Sequence, residues 1–263
     1  MKKSLNQGVI IIAFFLSIWT LLTEINWVKL FKIEQATQYS EEKLGDLFWE
    51  VIKKSNEEIT DTTVVQTVDR IFNRITKANS INRSTIKLHV VKKDEINAFA
   101  LPNGHLVIHS GLITKSKSPE EIAGVLSHEL AHIELKHIMK KMISEIGLSV
   151  LINITTGNTN SEAIKETVKV LSSSSFERSL EKEADIKALE YMIQAKINPR
   201  PFAQFLYRLS LIEDPNAKYL EWVSSHPISK DRSEYINAYL KDKTFIYSEI
   251  IPQSNWLSLQ NSL

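Results

Sequence analysis

The chain has 263 residues, 43% hydrophobic and 24% charged, with a formal net charge of +1. That balance suits a globular body with a sizeable core and excludes a disordered chain; the near-zero charge offers no field for nucleic acid, and no such partner is expected. The sequence contains no cysteine. Disulfides, thiolate metal sites and Cys nucleophiles are therefore excluded together, and any metal must be held by histidines and carboxylates.

Lys2 and Lys3 precede an apolar run from Gly8 to Leu22, interrupted by Ser17 and Thr20. As helix this run spans about 22 Å, short of the roughly 30 Å of a hydrocarbon core. Continuing to Val28 reaches across, but takes in Glu24 and Asn26. A retained membrane anchor is the favoured reading. A cleaved signal peptide comes second, since no small-x-small cleavage site follows the run, and a buried core helix third. The basic N-terminus places the body outside the cytoplasm. That means a single-pass envelope protein, or a periplasmic one if the segment is cleaved.

In residues 41–54, Leu44, Leu47, Phe48, Val51 and Ile52 form the stripe of an amphipathic helix. A second stripe, Val65, Val68, Phe72 and Ile75, follows Thr60 or Asp61 as cap. The period then changes to two over Thr85–Val91, predicting a half-buried strand with His89 on its polar, solvent-facing side. Ala98–Leu101 and His105–His109 flank Pro102-Asn103-Gly104, the signal of a hairpin. Ser118-Pro119-Glu120-Glu121 predicts a helix start, running through His128–His132 toward Lys141. Ile143–Thr155 is too short and too polar for a second membrane span. Ser172–Ser175 reads as a linker, and helical spacing covers roughly Glu177–Ala195 and resumes at Phe202. The pattern is helices, a small sheet, then helices: an α+β domain.

His128-Glu129-Leu130-Ala131-His132 is an HExxH motif. Residues four apart share a helix face, so both imidazoles can reach one ion. Glu129 is placed to take a proton from a water that zinc has acidified. The plainer alternative is a surface helix with two histidines by chance, but the motif lies midway along a well-signalled, apolar-striped helix. A catalytic zinc takes three protein ligands. Glu181-Lys182-Glu183-Ala184-Asp185 supplies two carboxylates four apart on another predicted helix. One can bind zinc while the other accepts a hydrogen bond from a ligating imidazole. Glu183 points elsewhere by helical phase.

With these stretches in view, the chain resembles the gluzincin metallopeptidases that include the HtpX-like, BepA-like and CAAX prenyl endopeptidases. The resemblance rests on Asn97–Gly104 running on to Gly111-Leu112-Ile113, on Ser127–His132, on Arg178-x-x-Glu181-x-Glu183-Ala184-Asp185, and on His226-Pro227 with Arg232 six residues after the histidine. Together they cover about residues 85–235. It implies a mainly helical zincin-type metallopeptidase domain with a small β-sheet beside the HExxH helix. It also implies one Zn2+ per chain, with His128, His132 and Glu181 as metal ligands, Asp185 behind a ligand, and Glu129 as general base. By the same analogy His226 lies near the zinc, where it stabilises the oxyanion or instead fills the open metal position and holds the enzyme inactive; the plainer alternative is a structural loop histidine before Pro227. Glu177 replaces the usual serine before Arg178, and the several membrane spans of the prenyl proteases are not found, so prenyl-protein processing is not expected.

The remaining histidines carry less. His137 lies nine residues after His128, half a turn around a continuous helix, and should face away from the metal. His105 and His109 share a strand face with Val107, facing either substrate or ordinary packing. The expected division is an anchor or signal over 1–28, a helical segment packing on the peptidase over 29–80, and the peptidase over 81–263. The expected function is a zinc endopeptidase acting on misfolded or unassembled envelope proteins, with a peptide or unfolded protein as substrate and the membrane as partner of the N-terminus. The competing function is a chaperone-like binding module with the metal bound but the site inactive or autoinhibited.

Overall fold

A computed structural model describes residues 33–211, 221–227 and 230–263. The chain separates into two compact units, 1–40 and 41–263; the first described helix begins in the one, and every later element belongs to the other. Among the described residues no helix is long and apolar enough to cross a membrane; the expected anchor over 1–28 lies outside them.

Helix α1 (Ile33–Ser55) carries Leu44, Phe48, Trp49 and Ile52 on one buried stripe. Helix α2 (Thr62–Ala78) is capped by Asp61, whose carboxylate accepts from the amides of Thr63 and Val64. Strands β1 (Lys87–Val91), β2 (Ala98–Ala100) and β3 (His105–His109) form one sheet in the order β1-β3-β2. β3 runs parallel to β1 and antiparallel to β2. The β2–β3 hairpin is as expected, with Asn103 (φ 59) and Gly104 (φ 67) both left-handed at the turn. A Cβ on Gly104 would stand 2.1 Å from the Thr85 carbonyl oxygen, so this position needs glycine for space as well as for φ.

Both faces of the sheet are covered. Leu106 and Ile108 pack into the larger core with Ile86, Val90 and helices farther along the chain. Val107 packs on the opposite face with Leu44, Phe48 and Trp49 of α1. This corrects the reading of His89, whose face of β1 is roofed by α1 rather than open to solvent. Its ring stacks on Trp49 at 3.6 Å and contacts Glu58 Oε1 at 2.9 Å and His105 Nδ1 at 3.0 Å. His105 and His109 are both buried, His105 against Asp46 Oδ1 at 2.9 Å and His109 edge-on to Phe99.

After α3 (Ser110–Lys115) comes the central helix α4 (Pro119–Glu134), which starts after Ser118 with Pro119 in the first turn; the serine side chain makes no capping bond to it. Glu121 reaches back to the amide of Lys117 and accepts both guanidinium bonds of Arg208. Every residue from Glu121 to His132 is buried. The apolar stretch beyond it splits into α5 (His137–Glu145) and α6 (Leu148–Thr156), and α7 (Ser161–Ser173) runs into the expected linker. Helices α8 (Arg178–Gln194), α9 (Arg200–Ser210), α10 (Glu221–Ser225), α11 (Lys230–Leu240) and α12 (Gln253–Asn261) complete the domain. α4 packs on α8, α9, α2 and β2. Its approach to α9 passes at Gly124, where a Cβ would lie 2.4 Å from Phe202.

Candidate metal centre

His128, Glu129 and His132 lie on the inward side of α4; Glu181 and Asp185 lie on the first turns of α8. His226 follows α10, and Arg232 and Tyr235 lie on α11. All six candidate residues of the sequence, Asp185 among them, are buried and meet at one place. His128, His132, Glu181 and His226 each bring a ligating atom within 4.8 Å of the others.

The spacing of these atoms suits a small cation. His128 Nε2 lies 3.0 Å from His132 Nε2, His132 Nε2 lies 3.2 Å from Glu181 Oε1, and His128 Nε2 lies 3.7 Å from Glu181 Oε2. Ligands about 2.0–2.1 Å from a tetrahedral zinc stand about 3.3 Å apart, which is the mean of these three edges. His226 Nδ1 lies 3.2 Å from His128 Nε2 and 2.8 Å from Glu181 Oε1, near a fourth vertex. The chemistry points the same way: His128 Nε2 faces two other ring nitrogens and cannot donate one proton to both, whereas a cation accepts lone pairs from all.

The charges agree. Glu129, Glu181 and Asp185 are buried with one guanidinium, that of Arg232, among them. The Lys141 ammonium also lies near Glu129 and Glu181, so one negative charge is left over when the imidazoles are neutral, a deficit that a divalent cation offsets. Burial pulls the His128 imidazole down, but Glu181 and Asp185 outweigh it and raise it to about 9, a measure of the negative potential in the pocket. Burial raises Glu181, yet His226 and His128 bring it well below the usual carboxylate range. Asp185 is likewise raised by burial and brought down to about 2 by Arg232 and His128. His132 is held neutral by burial.

Each central residue has a backing partner. His128 Nδ1 lies 2.9 Å from Asp185 Oδ1. Asp185 accepts two bonds from Arg232, at 2.9 and 2.8 Å, and one from the Tyr235 hydroxyl. Arg232 also donates to the carbonyls of His226 and Pro227, at 3.1 and 3.3 Å, which fixes the loop carrying His226. Glu129 Oε1 accepts from Trp222 Nε1 at 3.0 Å and lies 3.3 Å from His226 Nε2. Phe176 stacks on His132 with ring centroids 4.0 Å apart. A cavity of about 20 Å³ beside Glu129, lined by Phe99, Leu101, Lys141, Phe176 and His226 among others, has room for about one water.

Trp222 and Phe176 are contributors that the sequence reading passed over. Trp222 lies four residues before His226, and its carbonyl accepts the His226 amide at 2.8 Å, so i,i+4 spacing was an available signal. Phe176 followed a run of serines and carried none. His137 corrects an expectation. α4 ends at Glu134, and Lys136 turns left-handed (φ 59), so the next helix starts in a new direction. His137 is buried and its Nδ1 lies 3.1 Å from His132 Nδ1.

Comparison with known proteins gives the same direction. The profile described as Peptidase family M48 matches residues 63–240. The chain is 26% identical over 202 residues to a beta-barrel assembly-enhancing protease of Yersinia pestis, covering 72% of this chain and 41% of the relative. It is 28% identical over 180 residues to the mitochondrial metalloendopeptidase OMA1 of Schizosaccharomyces pombe, covering 66% and 52%. Metalloprotease LoiP of Escherichia coli is 26% identical over 164 residues, covering 60% and 64%. The chain thus spans about two-fifths to two-thirds of the length of these relatives.

Proposed function

The chain belongs to peptidase family M48, and on that premise we propose that it is a zinc-dependent endopeptidase with His128, His132 and Glu181 as ligands. The observation that carries this is the near-tetrahedral spacing of their three ligating positions in a buried pocket short of positive charge. A bound zinc ion supplies Lewis acidity, making a water more acidic and a peptide carbonyl more electrophilic. Glu129 takes one proton from the attacking water as its oxygen bonds to the carbonyl carbon, and delivers a proton to the amine nitrogen as the C–N bond breaks. The Trp222 bond to Oε1 holds that carboxylate toward the cavity. Asp185 holds His128 with its proton on Nδ1 and its Nε2 lone pair free to ligate. The imidazole of His226 is the donor for the developing oxyanion.

The substrates we assign are misfolded or unassembled envelope proteins. The name of the Yersinia relative supports this, as does the N-terminal apolar run, read as a membrane anchor or cleaved signal over 1–28 ahead of a helical segment (29–80) and the peptidase (81–263). The catalytic body then lies outside the cytoplasm. Glu129→Gln is expected to bind one zinc per chain and to lose cleavage of unfolded casein. Undiminished proteolysis by that variant overturns the mechanism.

One observation favours a second reading, a metal-bound but autoinhibited module. The cavity beside Glu129 has room for only about one water, and His226 Nδ1 sits 2.8 Å from the proposed ligand Glu181. Zinc at one per chain with no turnover on any peptide library supports that state over an active peptidase.

A further inference from the structure

We infer that His137, with Glu183 behind it, is the positioning pair for the second ligand imidazole, His132; the inference rests on the metal site proposed above. The geometry is a chain of three groups. His132 Nδ1 faces His137 Nδ1 at 3.1 Å, and His137 Nε2 faces Glu183 Oε2 at 3.3 Å. Both rings are fully buried and meet edge to face, their centroids 5.0 Å apart. The Glu183 side chain is 55% exposed at the outer end.

Proton placement follows from the bonds. For His132 Nε2 to offer its lone pair to a cation, the ring proton must sit on Nδ1. That N–H needs an acceptor in a site closed to water, and His137 Nδ1 is the atom facing it. His137 then carries its own proton on Nε2 and donates it to Glu183. Every donor and acceptor in the chain is used once, with both imidazoles neutral. His128 has the same support by a shorter route, since its Nδ1 meets Asp185 directly.

The arrangement accounts for three acidic residues at alternate positions of α8. Glu181 is the ligand, Asp185 serves the first imidazole, and Glu183 serves the second through His137. Glu183 does project away from the metal by helical phase. It takes part because the break at Lys136 folds α5 back and brings His137 between it and His132. An uninterrupted α4 would carry His137 past the site.

The test is zinc affinity by competition with a chromogenic chelator, alongside the 15N–1H spectrum of the histidine rings in the zinc-loaded protein. His137→Leu keeps an apolar side chain of similar bulk and removes the acceptor; we expect a 10- to 100-fold loss of zinc affinity and disappearance of the protected His132 Nδ1–H signal. His137→Asn places Oδ1 where Nδ1 was and is expected to bind zinc within about threefold of wild type. Glu183→Ala, on an exposed position that folding tolerates, is expected to lose about three- to tenfold. Wild-type affinity in His137→Leu, or equal losses in His137→Leu and His137→Asn, overturns the pairing and leaves His137 as packing. Should His137→Leu fail to fold, unchanged affinity in Glu183→Ala together with a deficit in His137→Asn overturns it equally. Failure of the wild-type chain to bind zinc instead overturns the metal site itself.

Discussion

Asp185→Asn separates the electrostatic support of the site from its shape. Asp185 is fully buried, accepts two bonds from Arg232 and one from Tyr235, and backs His128. Its folded pKa of about 2, against an ordinary aspartate value of 3.8, corresponds to about 2 kcal/mol of stabilisation by ionisation. The amide can replace one acceptor, but its NH2 group must face a donor, either an Arg232 N–H, the Tyr235 hydroxyl or the His128 Nδ1–H. Breaking a buried ion pair by removing one partner costs about 3–5 kcal/mol, and the remaining contact of Arg232 with Glu181 returns part of that. The expected loss is therefore about 2 to 4 kcal/mol at neutral pH, read as the urea unfolding free energy of the metal-free protein. Because folding lowers this pKa, the unfolded chain binds the proton more tightly. The wild type holds the contribution in full above the unfolded value and loses it as pH falls through the folded value near 2; the variant lacks this part of the acid limb. A loss under about 0.5 kcal/mol at neutral pH, or an acid limb identical to wild type, refutes the argument.

His109 supplies a second pH dependence with a different window. Burial lowers its imidazole to about 3, with Lys93 adding to the effect. The unfolded chain takes up this proton near the ordinary 6.5, so stability falls as pH drops below 6.5 and continues falling toward 3. His109→Gln is expected to flatten the change in denaturation midpoint between neutral pH and about 5, where wild type loses up to about 2 kcal/mol; an unchanged slope counts against it. Gly124→Ala places a methyl 2.4 Å from Phe202 and forces α4 and α9 apart. A net destabilisation of about 1–2 kcal/mol is expected in urea despite the better helix propensity of alanine, and a stabilised variant contradicts the close approach.

The parts of the site carried by local spacing were readable from residues. HExxH and the Glu181/Asp185 pair rest on the i,i+4 geometry of a helix, which context does not alter, and the Asn103-Gly104 turn rests on backbone sterics. The misread residues depend on what packs across from them. His89 has the alternation of an outward-facing position, and it is covered because the Trp49 stripe of α1 lies over that face of the sheet. His137 depends on a helix break made by Lys136 in a left-handed conformation, with no glycine or asparagine to announce it. Trp222 and Arg232 reach Glu129 and Asp185 from far along the chain; their spacing from His226 ties them to that loop, but it does not say which carboxylate each one meets.

The two helices that build the centre also divide its chemistry by their polarity. Glu181 stands in the first turn of α8, where free amides give the helix end a partial positive charge that favours carboxylates. His132 stands in the last turn of α4, where free carbonyls favour positive charge nearby. The acceptor groups are thus stabilised on one helix, and the place where a cation would sit is stabilised by the other. The buried face of α8 follows the same division, with Glu181 and Asp185 in its early turns and Ala188, Leu189 and Met192 in its later ones. The later half buries apolar surface in the large core and holds the helix in register. The first turns can therefore bury two carboxylates that would otherwise oppose folding, and the pocket keeps its negative charge for a cation to neutralise.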